Sequence, residues 1–252
     1  MVVVALVMLG ILGVLDDGRS YFAICVLAAA LTLWQMRPQD PEKRVHRWMP
    51  ALFMVVVTFV VYLLSTALLT GGYLGAEAQE RSTTQIETTG SLLVGGRPEW
   101  AATRELVKLR PLGYGPGVIP SWEDVQAGKA GLQSVNVELE RKRAAYMFGG
   151  QFKLHSIAAD LWVAYGLAGV ALAAAMLVAL VRCMSFSIAA RELPASVALA
   201  ATLAAWFMLF GPIYTNWAGA CAGLGLVLTR AATSDRPPQD PPTGAVAAGR
   251  PR

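Results

Sequence analysis

The sequence predicts an all-α polytopic membrane protein with about six transmembrane helices and one long extracytoplasmic loop containing amphipathic helices. Three observations carry that expectation. Hydrophobic residues make up 55% of the 252-residue chain and charged residues only 15%, with a mean hydropathy of +0.49; soluble domains carry about 25% charge. Apolar stretches approaching the roughly 20 residues that a bilayer-crossing helix needs recur toward both ends of the chain. Between them lies one polar segment, residues 71–155, too long for a simple turn.

Taken in order, residues 1–15 are apolar and short with no basic leader, so they read as a span clipped at its start and not as a signal peptide. Residues 21–36 and 48–69 are the next two spans, which makes 1–70 a first group of three helices. Residues 156–181, 194–210 and 213–228 supply a second group within 156–230. Its last two members close as a hairpin across Gly211 and Pro212. Residues 231–252 are rich in Pro, Gly and Ala and predict a disordered tail.

Short-loop charge sets the orientation. Arg37, Lys43, Arg44 and Arg47 share one loop, Arg182 and Arg191 fall in the next loop on that face, and Arg230 opens the tail. Alternating spans put all of them on one side, which the positive-inside rule makes cytoplasmic. Residues 71–155 then lie outside, and a multi-pass protein of a bacterial plasma membrane is expected. The net charge of +4 is divided among these loops and is no nucleic-acid footprint. Cys25, Cys183 and Cys221 fall in or at the ends of apolar stretches and read as packing residues without a disulfide or metal pattern.

Within the outer loop, residues 71–90 are rich in Gly, Ser, Thr and Glu and predict a mobile lead. From Arg97 to Arg110 the pattern becomes an amphipathic helix. Pro98 suits its first turn, and Trp100, Leu106, Val107 and Leu109 supply the apolar positions. Arg97 and Arg104 are seven apart and recur on nearly one face. From these residues alone, an interfacial helix whose basic face meets lipid head groups is the favoured reading. Pro111-Leu-Gly113-Tyr-Gly115-Pro-Gly117 ends the helix in a glycine turn that lets backbone approach something closely. It is no dinucleotide signature, since no strand precedes it. Ser121-Trp-Glu-Asp124 resembles a capping box with Asp in place of Glu. A second loop helix is expected over residues 135–146, carrying Arg141, Lys142 and Arg143 as a solvated face or a contact for anionic lipid.

The chemistry-bearing residues are few. The chain has two histidines: His46 lies in a basic loop, and His155 stands at the mouth of the third long span. An imidazole at that boundary transfers protons near neutral pH, which makes His155 a candidate general base; the plainer reading is a polar residue that starts a helix. Asp160 lies within the apolar run, where a carboxylate is costly unless it faces protein or water. It pairs with an arginine, contacts substrate, or caps a wet vestibule. Arg19, in the corner Asp16-Asp17-Gly18-Arg19, falls on the same side as His155.

In this order the motifs resemble the O-antigen ligase/polymerase superfamily. The matching residues are Gly96-Arg97 with Trp100, the turn Pro111–Gly117, His155-Ser156, then Gly166 and Gly169; Gly18-Arg19 looks like that family's Ser-Arg pair. Ser156 stands where the family has Asn, and Ala164 where it has Glu. The likeness covers roughly residues 10–230. Family members carry about twice as many helices, the further ones N-terminal, so the resemblance implies a fragment, a late start codon, or half of a split protein with its N-terminal half on another chain.

The resemblance implies an activity and a site. The donor would be a polyprenyl-diphosphate-linked glycan, the acceptor a hydroxyl on a glycan, lipid or wall component, with membrane lipids around the site. Such a ligase would be an inverting, metal-independent glycosyltransferase needing no cofactor. Arg19 and Arg97, with Arg104 as a weaker third, would hold the diphosphate. His155 would be the base, and Ser156, Asp160, Gly113 and Gly115 would support them. A repeat-unit polymerase of the same superfamily differs only in its acceptor. A transporter, for which paired broken helices would be needed, and a non-catalytic remnant are the rival classes.

Overall fold

The computed structural model describes residues 1–15, 19–38, 49–73 and 75–234, and these are all-helical with no strand among them. Residues 39–48, which include His46, and 235–252 lie outside the described residues. The helices are α1 (Val2–Leu15), α2 (Arg19–Met36), α3 (Met49–Thr70), α4 (Ala76–Thr89), α5 (Leu92–Gly96), α6 (Glu99–Leu109), α7 (Trp122–Gln133), α8 (Arg141–Phe148), α9 (Ile157–Ala189), α10 (Ala195–Phe210) and α11 (Ile213–Ser234).

Of the six expected spans, two combine length with sustained apolar character. These are α3, 22 residues at mean hydropathy 2.5, and α9, 33 residues at 2.2. At 1.5 Å per residue both exceed the roughly 30 Å of bilayer hydrocarbon. Helices α1, α2 and α10 carry apolar stretches of fewer than 18 residues. Helix α11 has the length, but Thr215, Asn216, Thr229 and Arg230 dilute it. The α3 surface is informative: Leu52, Val55, Val56, Phe59, Val60, Leu63 and Leu64 are all exposed. In water such a face forfeits about 25 cal/mol for every Å² left uncovered, a penalty that lipid removes.

Packing divides into two main regions joined by α9. At one end Leu31 of α2, Met54 of α3, Leu180, Met184 and Ile188 of α9, Val197 and Ala201 of α10 and Val227 of α11 form one buried cluster. At the other, Ala102 and Leu106 of α6, Leu132 of α7 and Met147 and Phe148 of α8 pack onto Ala159 and Val163, in the first two turns of α9. Between them Ile157, Leu161 and Ala173 of α9 meet Met208 of α10 and Ala220 of α11.

Several expectations are corrected. The lead at 71–90 forms α4, closed by Gly90 in the left-handed conformation. The second loop helix begins at Arg141, because Val137 and Leu139 alternate with polar residues and tuck against the loop core as extended chain, after Asn136 turns left-handed. The expected Ser121 capping box does form, and it starts helix α7: Ser121 Oγ accepts from Asp124 N at 3.3 Å, and Asp124 Oδ2 accepts from Ser121 N at 2.8 Å. Helix α9 runs past Val181, so Arg182 is helical and not in a loop. Arg191 does lie in the following turn and donates to Arg37 O at 2.7 Å. Cys25 is buried as a packing residue, whereas Cys221 is exposed.

Candidate functional site

The site is built where the segment carrying α6 to α8 sits on the C-terminal end of α10. The last carbonyls of a helix lack intrahelical partners, and here three consecutive ones are taken by side chains from elsewhere. Ser156 Oγ donates to Met208 O at 3.2 Å, Trp100 Nε1 to Leu209 O at 3.2 Å and Arg97 Nε to Phe210 O at 3.3 Å. The negative end of the helix dipole suits the guanidinium. Arg97 Nη1 also donates to Gly96 O at 2.7 Å, which fixes the arginine at the start of α6.

His155 lies between two clamps. On one side Leu154 N donates to Asp160 Oδ1 at 2.8 Å. On the other, Ser156 caps α9 by accepting from Ala159 N at 3.2 Å while holding α10. His155 itself has φ +49, a left-handed conformation that residues other than glycine rarely adopt. Such backbone costs of order 1–3 kcal/mol and persists where its surroundings over-determine it. The two clamps do so.

The imidazole faces a carboxylate that sequence reasoning missed. Glu99 Oε1 is 3.6 Å from His155 Nδ1, beyond hydrogen-bond length yet close enough to interact electrostatically. Glu99 is buried, and its Oε2 and His155 Nδ1 are buried without a hydrogen-bond partner. With Nδ1 turned inward, Nε2 is the nitrogen left for an outside ligand. The Tyr146 ring of α8 stacks on the imidazole, centroids 4.5 Å apart. Burial pushes the His155 pKa below its ordinary 6.5; Glu99 opposes that shift, and Arg97 and Arg143 add to it. Burial therefore favours the neutral ring, whose unprotonated nitrogen can accept a proton.

Arg97 and Arg104 line one open cleft of about 380 Å³, together with Trp100, Ala101, Ser134, Val135 and Phe210. The helix expected from Arg97 begins only at Glu99, so Arg104 lies on α6 and Arg97 just ahead of it, and both side chains nevertheless reach the cleft. Arg104 Nε donates to Glu105 Oε1 at 3.0 Å. Arg97 belongs to both the cleft and the electrostatic surroundings of His155.

The remaining predicted residues are placed as follows. Arg19 opens α2, but its side chain lies outside the described residues. Both oxygens of Asp160 accept backbone N–H groups, Oδ1 from Leu154 and Oδ2 from Ile213 at 3.0 Å, so this carboxylate ties the start of α11 to that of α9. Gly113 and Gly115 lie in a turn packed on α9, where Tyr114 N and Gly115 N donate to Val163 O and Ala164 O at 2.8 and 2.9 Å. Among the described residues no three His, Cys, Asp or Glu side chains converge as a metal set.

The signal for Glu99 was present in the register of α6. Glu99, Ala102, Thr103 and Leu106 are its buried residues, spaced three and four apart, so a carboxylate stands at an apolar position. No protein-family model, curated protein or solved structure gives a significant match to the chain. Geometry alone therefore supports or opposes a function.

Proposed function

We propose that the chain is a multi-pass bacterial plasma-membrane glycan ligase that moves a polyprenyl-diphosphate-linked glycan to an acceptor hydroxyl on the outer face. The observation that carries this reading is an imidazole, backed by a buried carboxylate, beside a cleft lined by two arginines. The exposed apolar face of α3 favours several passes through lipid over burial in a larger soluble core.

An acceptor hydroxyl is too weakly acidic to attack unaided. His155 Nε2 takes its proton as the acceptor oxygen bonds to the anomeric carbon of the donor sugar. The bond from that carbon to the diphosphate oxygen breaks, and the electron pair leaves on the diphosphate. Attack from the opposite face inverts the anomeric configuration. Glu99 stabilises the imidazolium that forms. Arg97 and Arg104 neutralise the charge that grows on the leaving group, with Arg19 proposed as a third. Guanidinium suits that task because it stays charged and binds phosphate oxygens in pairs. Stabilising such developing charge is commonly the largest catalytic term, while general-base assistance contributes about 10²–10⁴-fold.

The test is transfer by purified protein in nanodiscs, supplied with a polyprenyl-diphosphate-linked oligosaccharide and a hydroxyl acceptor, with product read by mass spectrometry. His155→Ala is expected to lower the rate by about 10²-fold or more. Undiminished transfer by that variant would refute the base assignment.

A further inference from the structure

The turn from Pro111 to Gly117 keeps Tyr114 in the buried cluster of Ala102, Leu106 and Leu132, and its backbone packs against α9 well beyond that helix's first residue. Gly113 and Gly166 meet backbone to backbone. A Cβ on Gly113 would fall 2.6 Å from Gly166 N, and one on Gly166 would fall 2.5 Å from Leu112 C. Gly166 interrupts α9 with φ +58 and ψ −135, and the carbonyls of Val163 and Ala164 accept from Tyr114 and Gly115. Gly113 N donates to Arg110 O at 3.0 Å, and the Tyr114 hydroxyl to Leu106 O at 3.1 Å. Pro111 and Pro116 have no N–H to satisfy.

Depth follows from charge. No charged residue lies between Asp160 and Arg182, a stretch about 30 Å long as helix and so as thick as bilayer hydrocarbon. Gly166 is about 9 Å along it from Asp160. Leu112, at that level, is 85% exposed, and the neighbours of Gly166 in the helix, Tyr165 and Leu167, are exposed too, Leu167 by 70%. Apolar surface is thus continuous from α9 onto the turn. Three charges lie near Tyr114: the Arg110 guanidinium, 4.8 Å from its ring centroid, offsets the carboxylates of Glu123 and the buried Asp124.

We propose that the Pro111–Gly117 turn is a re-entrant wedge, with Leu112 seated among lipid acyl chains in the leaflet that holds the start of α9. Non-helical backbone survives at membrane depth only where protein satisfies its polar groups, and the α9 break supplies the acceptors. The wedge holds the outer loop, with its cleft, against the membrane surface. It rests on α9 crossing the bilayer and is independent of the transfer chemistry.

The experiment places an environment-sensitive fluorophore at single cysteines in the full chain, with Cys25, Cys183 and Cys221 replaced by Ala, in nanodiscs. Leu112→Cys is compared with Lys129→Cys on the exposed outer loop and with Leu172→Cys, an exposed position about 18 Å along α9 from Asp160 and so near the middle of the apolar stretch. Quenchers are a lipid with a doxyl group high on its acyl chain, one with a deep doxyl group, and aqueous iodide. At Leu112 the wedge predicts blue-shifted emission, shallow-doxyl quenching several-fold above that at Lys129, and little iodide quenching. Iodide quenching equal to that at Lys129 would put the turn in water, and protection from all three quenchers would mean that protein covers it. Either result overturns the wedge while Leu172 remains quenched by the deep lipid. Absence of that Leu172 quenching would instead overturn the crossing of α9, and the wedge with it.

Discussion

Glu99 Oε1 stands 3.6 Å from His155 Nδ1, joining the first turn of α6 to the strained residue just ahead of α9. A negative charge there favours the protonated ring, while burial and the guanidinium groups of Arg97 and Arg143 favour the neutral one. The balance lies on the neutral side.

Removing the carboxylate tilts it further. Glu99→Gln is expected to lower the His155 pKa again, so the acidic limb of the kcat/KM profile moves to lower pH. The plateau rate falls about tenfold, because the imidazolium of the transition state loses its counter-charge. Transfer kinetics across pH check this; an unmoved limb would separate Glu99 from the base.

The same pKa shift sets a direction for stability. His155 titrates lower when folded than its ordinary 6.5, so the unfolded chain binds this proton first as pH falls. Stability is therefore fully present above about pH 6.5 and declines as pH drops through the window below it. Melting temperatures in detergent should fall less steeply with acid for His155→Gln than for the parent chain.

The glycine contact should dominate turn stability. Gly113→Ala must place its Cβ against Gly166 N and Ala164 O, at 2.6 and 2.7 Å, and hold φ +90. Gly115→Ala, at φ +91, meets only Val118 Cγ2 at 3.5 Å. Backbone strain alone costs of order 1–3 kcal/mol, and the clash adds to it. Gly113→Ala should therefore lower the melting temperature well beyond Gly115→Ala.

Asp160 should behave as a fastener. Asp160→Asn leaves one of the N–H groups of Leu154 and Ile213 facing an amide instead of a carboxylate oxygen, at a cost of about 1–3 kcal/mol. Protease sensitivity around Gly211 and Pro212, just ahead of α11, should rise with it.

The arginines separate by chemistry. Arg97→Lys keeps the charge but loses the planar fork and its two carbonyl bonds, so kcat/KM should fall about tenfold or more. Arg104→Lys, on the exposed rim of the cleft, should cost less. Equal activity of Arg97→Lys and parent would remove the leaving-group role from Arg97.

Much of this architecture is written in local pattern. The α6 helix, the Ser121 capping box, the close-approach role of the glycine turn and the apolar runs of α3 and α9 all follow from spacing, propensity and hydropathy within one stretch of chain. Period-two alternation at Val137 and Leu139 was equally local, and the expected helix over 135–146 overlooked it.

Long-range partnership was not local. Nothing near Asp160 in sequence says that Ile213 N will meet its second oxygen, and nothing near Glu99 says that an imidazole 56 positions later will face it. The three α10 carbonyls find Ser156, Trp100 and Arg97 only after the segment between α3 and α9 has folded onto them. Sequence alone determined that the long apolar runs of α3 and α9 and most of amphipathic α6 are helical, because those properties depend on neighbours within a few residues. Only the tertiary structure decided which carboxylate backs the histidine and which one merely ties helices together, because burial and charge pairing depend on residues brought near by folding.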